Sequence, residues 1–350
     1  MQNKMNKSWM LYGATGYTGT LIAEEAVRRG HRPILAGRSV EKLRALAQRL
    51  GLEWMAFSLE DEGALFKAAE SVDLLLHVAG RFTETCEPMM GACLAGKTHY
   101  LDISNEISVM QAAQARQRMA EENGVSIIPG VGFGTVASNC LVRHVCEQIA
   151  DPVSLEIVMS PYVAQKSAGA AKSTLDAIAH GGYVRRNGAL VNTPFGFGAK
   201  RIRIANVEHN LLPVPSGDLE AAYLATGIAD ITVYMTTPLN PMLANLVLPF
   251  VQKLLSWNAL RRQLGRWLDG RTPSVAKPVD AKRRSWIWVQ ATDRTGKVVC
   301  GKLEAGEGYA FTASASIQAV EWVLVHRPLG AMAFDADFVL HIDGVQRHSQ

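Results

Sequence analysis

Residues 9–19, Trp-Met-Leu-Tyr-Gly-Ala-Thr-Gly-Tyr-Thr-Gly, constrain the fold of this chain more than any other stretch. A short apolar run ends in Gly13, two more glycines follow at Gly16 and Gly19, and a segment of helical periodicity, Leu21 to Arg29, opens at once. Strand, glycine turn, helix is the order that aims backbone N–H groups and a positive helix end at a pyrophosphate. Gly13 permits the tight turn, Gly16 lets backbone approach a ligand, and Gly19 lets the helix pack on the strand. Thr15, Tyr17 and Thr18 share that turn and belong to the same candidate site. Three glycines in seven residues also occur in ordinary turns, so the surroundings must carry the assignment.

Those surroundings repeat the pattern. A second strand, 34–36, ends in Gly37-Arg38-Ser39, where a NAD-specific fold places an acid on the ribose 2′-hydroxyl. Arg38 instead suits a 2′-phosphate, and Ser39 can donate to the same group and cap the next helix. The expected cofactor is NADP, with NADPH preferred over NADH. A third strand, 52–57, is followed by Ser58, expected near the adenine; a fourth, 72–79, ends in Ala79-Gly80-Arg81. The fifth, 98–103, leads to Ser104, and the sixth, 125–128, closes at residues 129–134. His77, inside the fourth strand, reads as a buried, hydrogen-bonded histidine. Six strands alternating with helices predict a Rossmann-type doubly wound parallel sheet, whose ligands sit at the carboxyl ends of the strands.

Beyond Asp151-Pro152 the pattern changes. Hairpin signals at Asn187-Gly188 and at 293–296, a strand over 201–207 and a helix over 218–226 predict a separate α+β domain with a mixed or antiparallel sheet. The division expected is 1–150 and 151–309, with 310–350 able to pack back on the first domain. A length of 350 residues suits two domains.

Five cysteines without a Cys-x-x-Cys pair fit a reduced, cytoplasmic setting, and the nine scattered histidines offer no metal site. The net charge of +4 is uneven: residues 250–285 hold nine Lys or Arg against two Asp, a local +7. Residues 239–268 combine this charge with apolar residues at helical spacing, interrupted by Pro249, which is expected to kink or break the helix. A packed helix, a homodimer contact and a peripheral membrane or lipid contact all fit that stretch. Nucleic-acid binding does not, for want of interleaved aromatic residues or a recognised module.

Gly-Ala-Thr-Gly-Tyr-Thr-Gly, Ala-Gly-Arg-Ser, Val-Ala-Gly-Arg-Phe, His-Tyr-Leu-Asp-Ile-Ser-Asn-Glu and Pro-Gly-Val-Gly-Phe-Gly, in that order, resemble the saccharopine dehydrogenase-like oxidoreductases. The resemblance continues weakly through Lys172-Ser173-Thr174 and the helix start marked by Tyr309, Phe311, Thr312 and Ala313. It implies a nicotinamide cofactor, two domains with the substrate cleft between them, and hydride transfer to C=N or C=C, since the family includes trans-acting enoyl reductases. Arg81, Asn105, Gly134, Ala137 and Asn139 depart from the family pattern and bear on the small-molecule or lipid-like substrate. The catalytic candidates are Tyr162 and Lys166, whose spacing resembles the Tyr-x-x-x-Lys of short-chain dehydrogenases without the supporting Ser. Two alternatives stay open: a non-catalytic dinucleotide-binding protein at a lipid surface, and an alcohol oxidoreductase of the short-chain-dehydrogenase kind.

Overall fold

The computed structural model describes residues 7–164, 168–204, 206–269, 280, 282–331 and 346–349. In chain order the first elements are β1 (Trp9–Tyr12), α1 (Tyr17–Arg28), β2 (Ile34–Gly37), α2 (Val40–Leu50), β3 (Trp54–Ala56), α3 (Glu62–Glu70), β4 (Leu74–His77), α4 (Phe82–Ala95), β5 (His99–Asp102), α5 (Ile107–Gln114), α6 (Gln117–Asn123) and β6 (Ser126–Ile128). Then come α7 (Thr135–Cys146), β7 (Pro152–Ser160), α8 (Ala168–His180), β8 (Gly182–Arg186), β9 (Ala189–Thr193), β10 (Lys200–Ile204), β11 (Val207–Pro213), α9 (Asp218–Thr226) and β12 (Asp230–Thr236). The chain continues with α10 (Pro241–Leu255), α11 (Asn258–Asp269), β13 (Ser285–Asp293), β14 (Val298–Ala305), α12 (Gly308–His326), β15 (Gly330–Ala331) and β16 (Gln346–Ser349). Two compact units result, Met1–Val136 with Tyr309–Ile342, and Ala137–Gly308 with Asp343–Gln350.

The first unit is a parallel sheet of order β15-β6-β5-β4-β1-β2-β3. The strands of its centre are buried runs without polar alternation, as a sheet covered on both faces requires. The pleat sends alternate residues to opposite faces. Leu11, Leu35, Leu76 and Leu101 pack with Ile22, Leu43, Ile317 and Val320 of α1, α2 and α12. Met10, Leu75 and Tyr100 pack with Leu65, Met89 and Val109 of α3, α4 and α5 on the other face. The expected six strands are joined by a seventh, β15, brought beside β6 when the chain returns through α12. Arg29 Nη2 donates to Ser314 Oγ at 2.6 Å, and His31 meets Glu321 at 2.8 Å, tying α12 to the end of α1.

The second unit is a mixed sheet of order β10-β11-β12-β7-β13-β14-β16, with the β8–β9 hairpin branching from β12. β7 runs parallel to β12 and antiparallel to β13. The boundary between units falls at Val136 rather than at residue 150, because α7 packs on β14: a methyl group added at Gly301 would stand 2.7 Å from Val145 Cγ2. The single strand expected over 201–207 is the β10–β11 hairpin instead, paired from Ile204↔Val207 to Lys200↔Leu211. Pro249 does not break α10. The missing N–H removes one ladder bond, but the helix is pinned where Asn245 Oδ1 accepts from Gly198 N (3.0 Å) and Gln252 Oε1 from Phe195 N (2.8 Å).

Candidate functional site

Strand register brings the candidate residues of the first unit to one edge. Tyr12 pairs with Ala36 and His77, Gly37 with Ala56, and His77 with Asp102, so the carboxyl ends of five adjacent strands finish level. The turn after β1 leaves this edge. The N–H groups of Gly13 and Ala14 both donate to the Ala36 carbonyl, at 2.8 and 3.2 Å, and Gly16 N donates to Gly13 O at 3.1 Å. These bonds fold the backbone back so that α1 starts at Tyr17 with Gly16 as its N-cap.

Two glycines in the turn are sterically required. Gly13 has φ +91°, and a methyl group there would lie 2.7 Å from Ala79 Cβ. At Gly19 a methyl group would lie 2.2 Å from the Gly13 carbonyl oxygen. A cradle this tight brings bare backbone and a helix N-terminus to the strand edge, the setting in which a pyrophosphate binds. The turn therefore fits a dinucleotide, with Thr15 and Thr18 beside it in the sequence.

Arg38 follows β2 and is exposed; among the described residues no ion pair or hydrogen bond engages it. Its charge reaches Tyr12: burial holds that phenol above its ordinary pKa, and the Arg38 guanidinium opposes the shift. Ser39 occupies the N-cap position of α2, but its hydroxyl makes no capping bond, contrary to expectation. Its backbone is extended, and it is the Ser39 carbonyl that accepts from Leu43 N at 3.0 Å. Ser58 is half-buried and its hydroxyl accepts from Glu60 N at 3.3 Å.

Beyond β4, Ala79 backs on Gly13, and Gly80 turns the chain with φ +80°. Arg81 is the N-cap residue of α4 and pairs with Glu84 at 2.5 Å. His77 is fully buried; its Nε2 contacts Thr85 Oγ1 at 2.9 Å while Nδ1 has no partner among the described residues. Burial drives its pKa down to about 3, which keeps the ring neutral.

Asp102, at the end of β5, is a hydrogen-bonding hub. Its carboxylate accepts from Tyr100 Oη (2.7 Å), from Ser104 N (2.8 Å) and Oγ (2.6 Å), and from Gly130 N (3.0 Å). Burial raises its pKa and these donors oppose the rise. Ser104 therefore turns both its N–H and its hydroxyl toward Asp102, fixing the loops after β5 and β6 together. The contact of Tyr309 is seen only in three dimensions: its ring meets that of Tyr17 edge-on at 4.9 Å, next to the glycine turn.

Tyr162 lies in the second unit and is buried. Its phenol oxygen accepts from Asp280 N at 2.9 Å, the Arg283 guanidinium stands 4.4 Å over the ring, and its backbone is bonded to Ser285 and Gly308. Lys166 lies outside the described residues.

Residues 9–128 match the family model described as the saccharopine dehydrogenase NADP binding domain. A trans-acting enoyl reductase of Mycobacterium ulcerans is 28% identical over 150 residues, 41% of this chain and 36% of that protein. One from Mycobacterium tuberculosis is 30% identical over 138 residues, 37% of this chain and 33% of that protein. The matched stretch thus spans about a third of these relatives' length. Among solved structures, saccharopine dehydrogenase (L-Glu forming) from Saccharomyces cerevisiae shares the fold, with a TM-score of 0.61 at 12% identity over 93% of this chain and 94% of that one. Fold, glycine turn and family model agree over residues 9–128: this part of the chain is similar to the saccharopine dehydrogenase NADP binding domain.

Proposed function

We propose that the protein is an NADP-dependent oxidoreductase acting on a C=N or C=C bond of a small or lipid-like molecule in a reducing, cytoplasmic compartment. The observation that carries the cofactor reading is Arg38, exposed directly after β2 in place of the acid that would hold a ribose 2′-hydroxyl. The Gly13–Gly19 turn and the N-terminus of α1 would hold the pyrophosphate, and Arg38 with Ser39 the 2′-phosphate. Ala79, Gly80 and Arg81 border the path of the cofactor, and Ser58 its adenine end. When bound, the nicotinamide supplies the hydride. The chain's own residues orient it: Asp102 holds the loop at Ser104 and Gly130, and neutral His77 brings no positive charge to the β4 end at ordinary pH.

The relatives named trans-acting enoyl reductases support a C=C acceptor, and the saccharopine dehydrogenase fold supports a C=N acceptor. A fluorescence titration with NADPH and NADH, followed by turnover assays on imines and enoyl thioesters, tests the reading. Tighter binding of NADPH is the expected result; NADH binding as tightly, or no binding of either, overturns the cofactor assignment.

The short-chain-dehydrogenase reading rests on Tyr162 and Lys166 alone. A buried phenol bonded to the Asp280 backbone supports a tether in the second unit, so we assign Tyr162 that role in preference to proton transfer.

A further inference from the structure

Helix α10 is apolar on both of its faces. Its inner face buries Ala244 and Leu255, and a methyl group at Gly196 would stand 2.9 Å from Leu248 Cδ1, so that side is closely seated. The outer arc carries Met242, Leu243, Leu246, Phe250 and Leu254, and Trp257 continues it past the helix end. These six are 53–83% exposed. At on the order of 100 Å² each, they amount to about 600 Å², the upper end of the largest apolar patch that an ordinary monomer shows. Their spacing places them within an arc about 120° wide, opposite Ala244 and Leu255.

The charge beside this arc is mostly positive: α10 and α11 hold Lys253, Arg261, Arg262 and Arg266 against Asp269, and Arg261 pairs with Asp176 of α8 at 3.1 Å. α10 contains no acidic residue, its Lys253 is exposed within the arc, and Arg262 and Arg266 are exposed on α11 next to Trp267, itself 52% exposed. No helix among the described residues is long and apolar enough to cross a membrane. A helix about 22 Å long with an apolar outer arc, flanking cations and tryptophans at its end has the build of one that lies in a bilayer interface.

We propose that α10, with α11, seats this protein on an anionic lipid bilayer, with Leu246 and Phe250 buried among acyl chains and Lys253, Arg262 and Arg266 at the headgroups. A second copy of the chain is the poorer occupant. A two-fold pairing of the arcs would bring Lys253 toward its own copy with no acid on α10 to meet it. The inference stands apart from the oxidoreductase reading, since it uses no residue of the glycine turn.

Flotation of the full chain with extruded vesicles tests it. On phosphatidylcholine with 30% phosphatidylglycerol, roughly the anionic content of a charged leaflet, the protein should float and its tryptophan emission should be quenched by brominated lipid. Binding should weaken at least tenfold on pure phosphatidylcholine, and fall further at high salt. Leu246→Asp with Phe250→Asp should cost at least tenfold while circular dichroism and Tm hold, because both side chains are exposed. Lys253→Glu with Arg266→Glu should weaken binding to the anionic vesicles alone. Absence of flotation, unchanged binding in the double aspartate variant, or a dimer that this variant dissolves without any vesicle binding each overturns the proposal. If the aspartate variant fails to fold, absence of brominated-lipid quenching in the unmodified protein overturns it equally.

Discussion

The Gly19 α-carbon and the Gly13 carbonyl oxygen are packed so closely that a methyl group on the former would sit 2.2 Å from the latter. The neighbouring atoms are backbone, including Ala14 Cα at 2.9 Å, so no side chain can swing away. Gly16 differs: the same test gives 3.3 Å, and its φ of −73° suits any residue. Gly19→Ala is therefore expected to lose about 2–3 kcal/mol of stability, as overpacking does, and to weaken NADPH binding at least tenfold. Gly16→Ala should change stability by under about 1 kcal/mol. Urea unfolding and a fluorescence titration measure both. Equal losses in the two variants would show that the Gly13–Gly19 contact is not what fixes the turn.

Arg38 makes a sharper test of cofactor choice. Arg38→Asp replaces the proposed 2′-phosphate partner with a like charge. NADPH should lose at least a hundredfold in affinity and NADH less than tenfold, because a charged hydrogen bond is exchanged for repulsion in one case only. Titration of the purified variant with each nucleotide gives the answer. A parallel loss for both would mean that Arg38 acts on the shape of the turn and not on the phosphate.

The glycine turn and the place of Arg38 at the end of β2 were legible in the sequence because their geometry is local. A strand period, three glycines and a helical period within twenty residues predict the turn, and the position after β2 is the one where a fold of this kind meets a ribose. Asp102 was harder to read. Its role depends on Gly130, far along the chain, and only the parallel register of β5 with β6 brings the two together. β11 escaped because Val-Glu-His-Asn-Leu-Leu-Pro has no clean alternation, and its pairing with β10 and β12 supplies what its own pattern lacks. Pro249 misled for the same reason: a local rule about helix interiors was outweighed by two side chains, Asn245 and Gln252, bonded to the loop around residues 195–198. In the first unit the order of strands, turns and helices follows local signals; in the second, the sheet is built from pairings that no short window contains.

Two buried histidines set an acid limit. Burial lowers the pKa of His77 to about 3 and that of His99 to about 4, the latter helped by the charges of Arg327 and Lys7. In the unfolded chain both take up protons near pH 6.5. Below that pH the unfolded state binds more protons, so stability falls as pH falls, and the loss levels off near 4 for His99 and near 3 for His77. Between pH 6.5 and pH 5 each histidine should cost about 2 kcal/mol. His77→Gln should be less stable at pH 7, having lost its place among Tyr12, Phe82 and Tyr100. It should nevertheless lose about 2 kcal/mol less than the parent on going to pH 5. Urea unfolding at the two pH values checks this, and an identical pH dependence in both proteins would assign the acid loss elsewhere.

Tyr162 separates tether from catalyst. Its phenol oxygen is the acceptor for Asp280 N, its ring lies under Arg283, and its backbone carbonyl receives Gly308 N at 2.8 Å. Tyr162→Phe keeps the ring and the backbone bonds but leaves the Asp280 N–H without its acceptor. The cost of such a loss is about 1–2 kcal/mol in stability. Turnover on whichever substrate the panel identifies should stay within about threefold, since a tether does not enter the rate equation. A proton donor behaves oppositely: its removal typically lowers kcat by about a hundredfold or more and shifts the pH profile, with little effect on the unfolding midpoint. Measuring kcat against pH together with Tm in the same variant distinguishes the two, and a collapse of kcat at unchanged Tm would restore Tyr162 to the reaction.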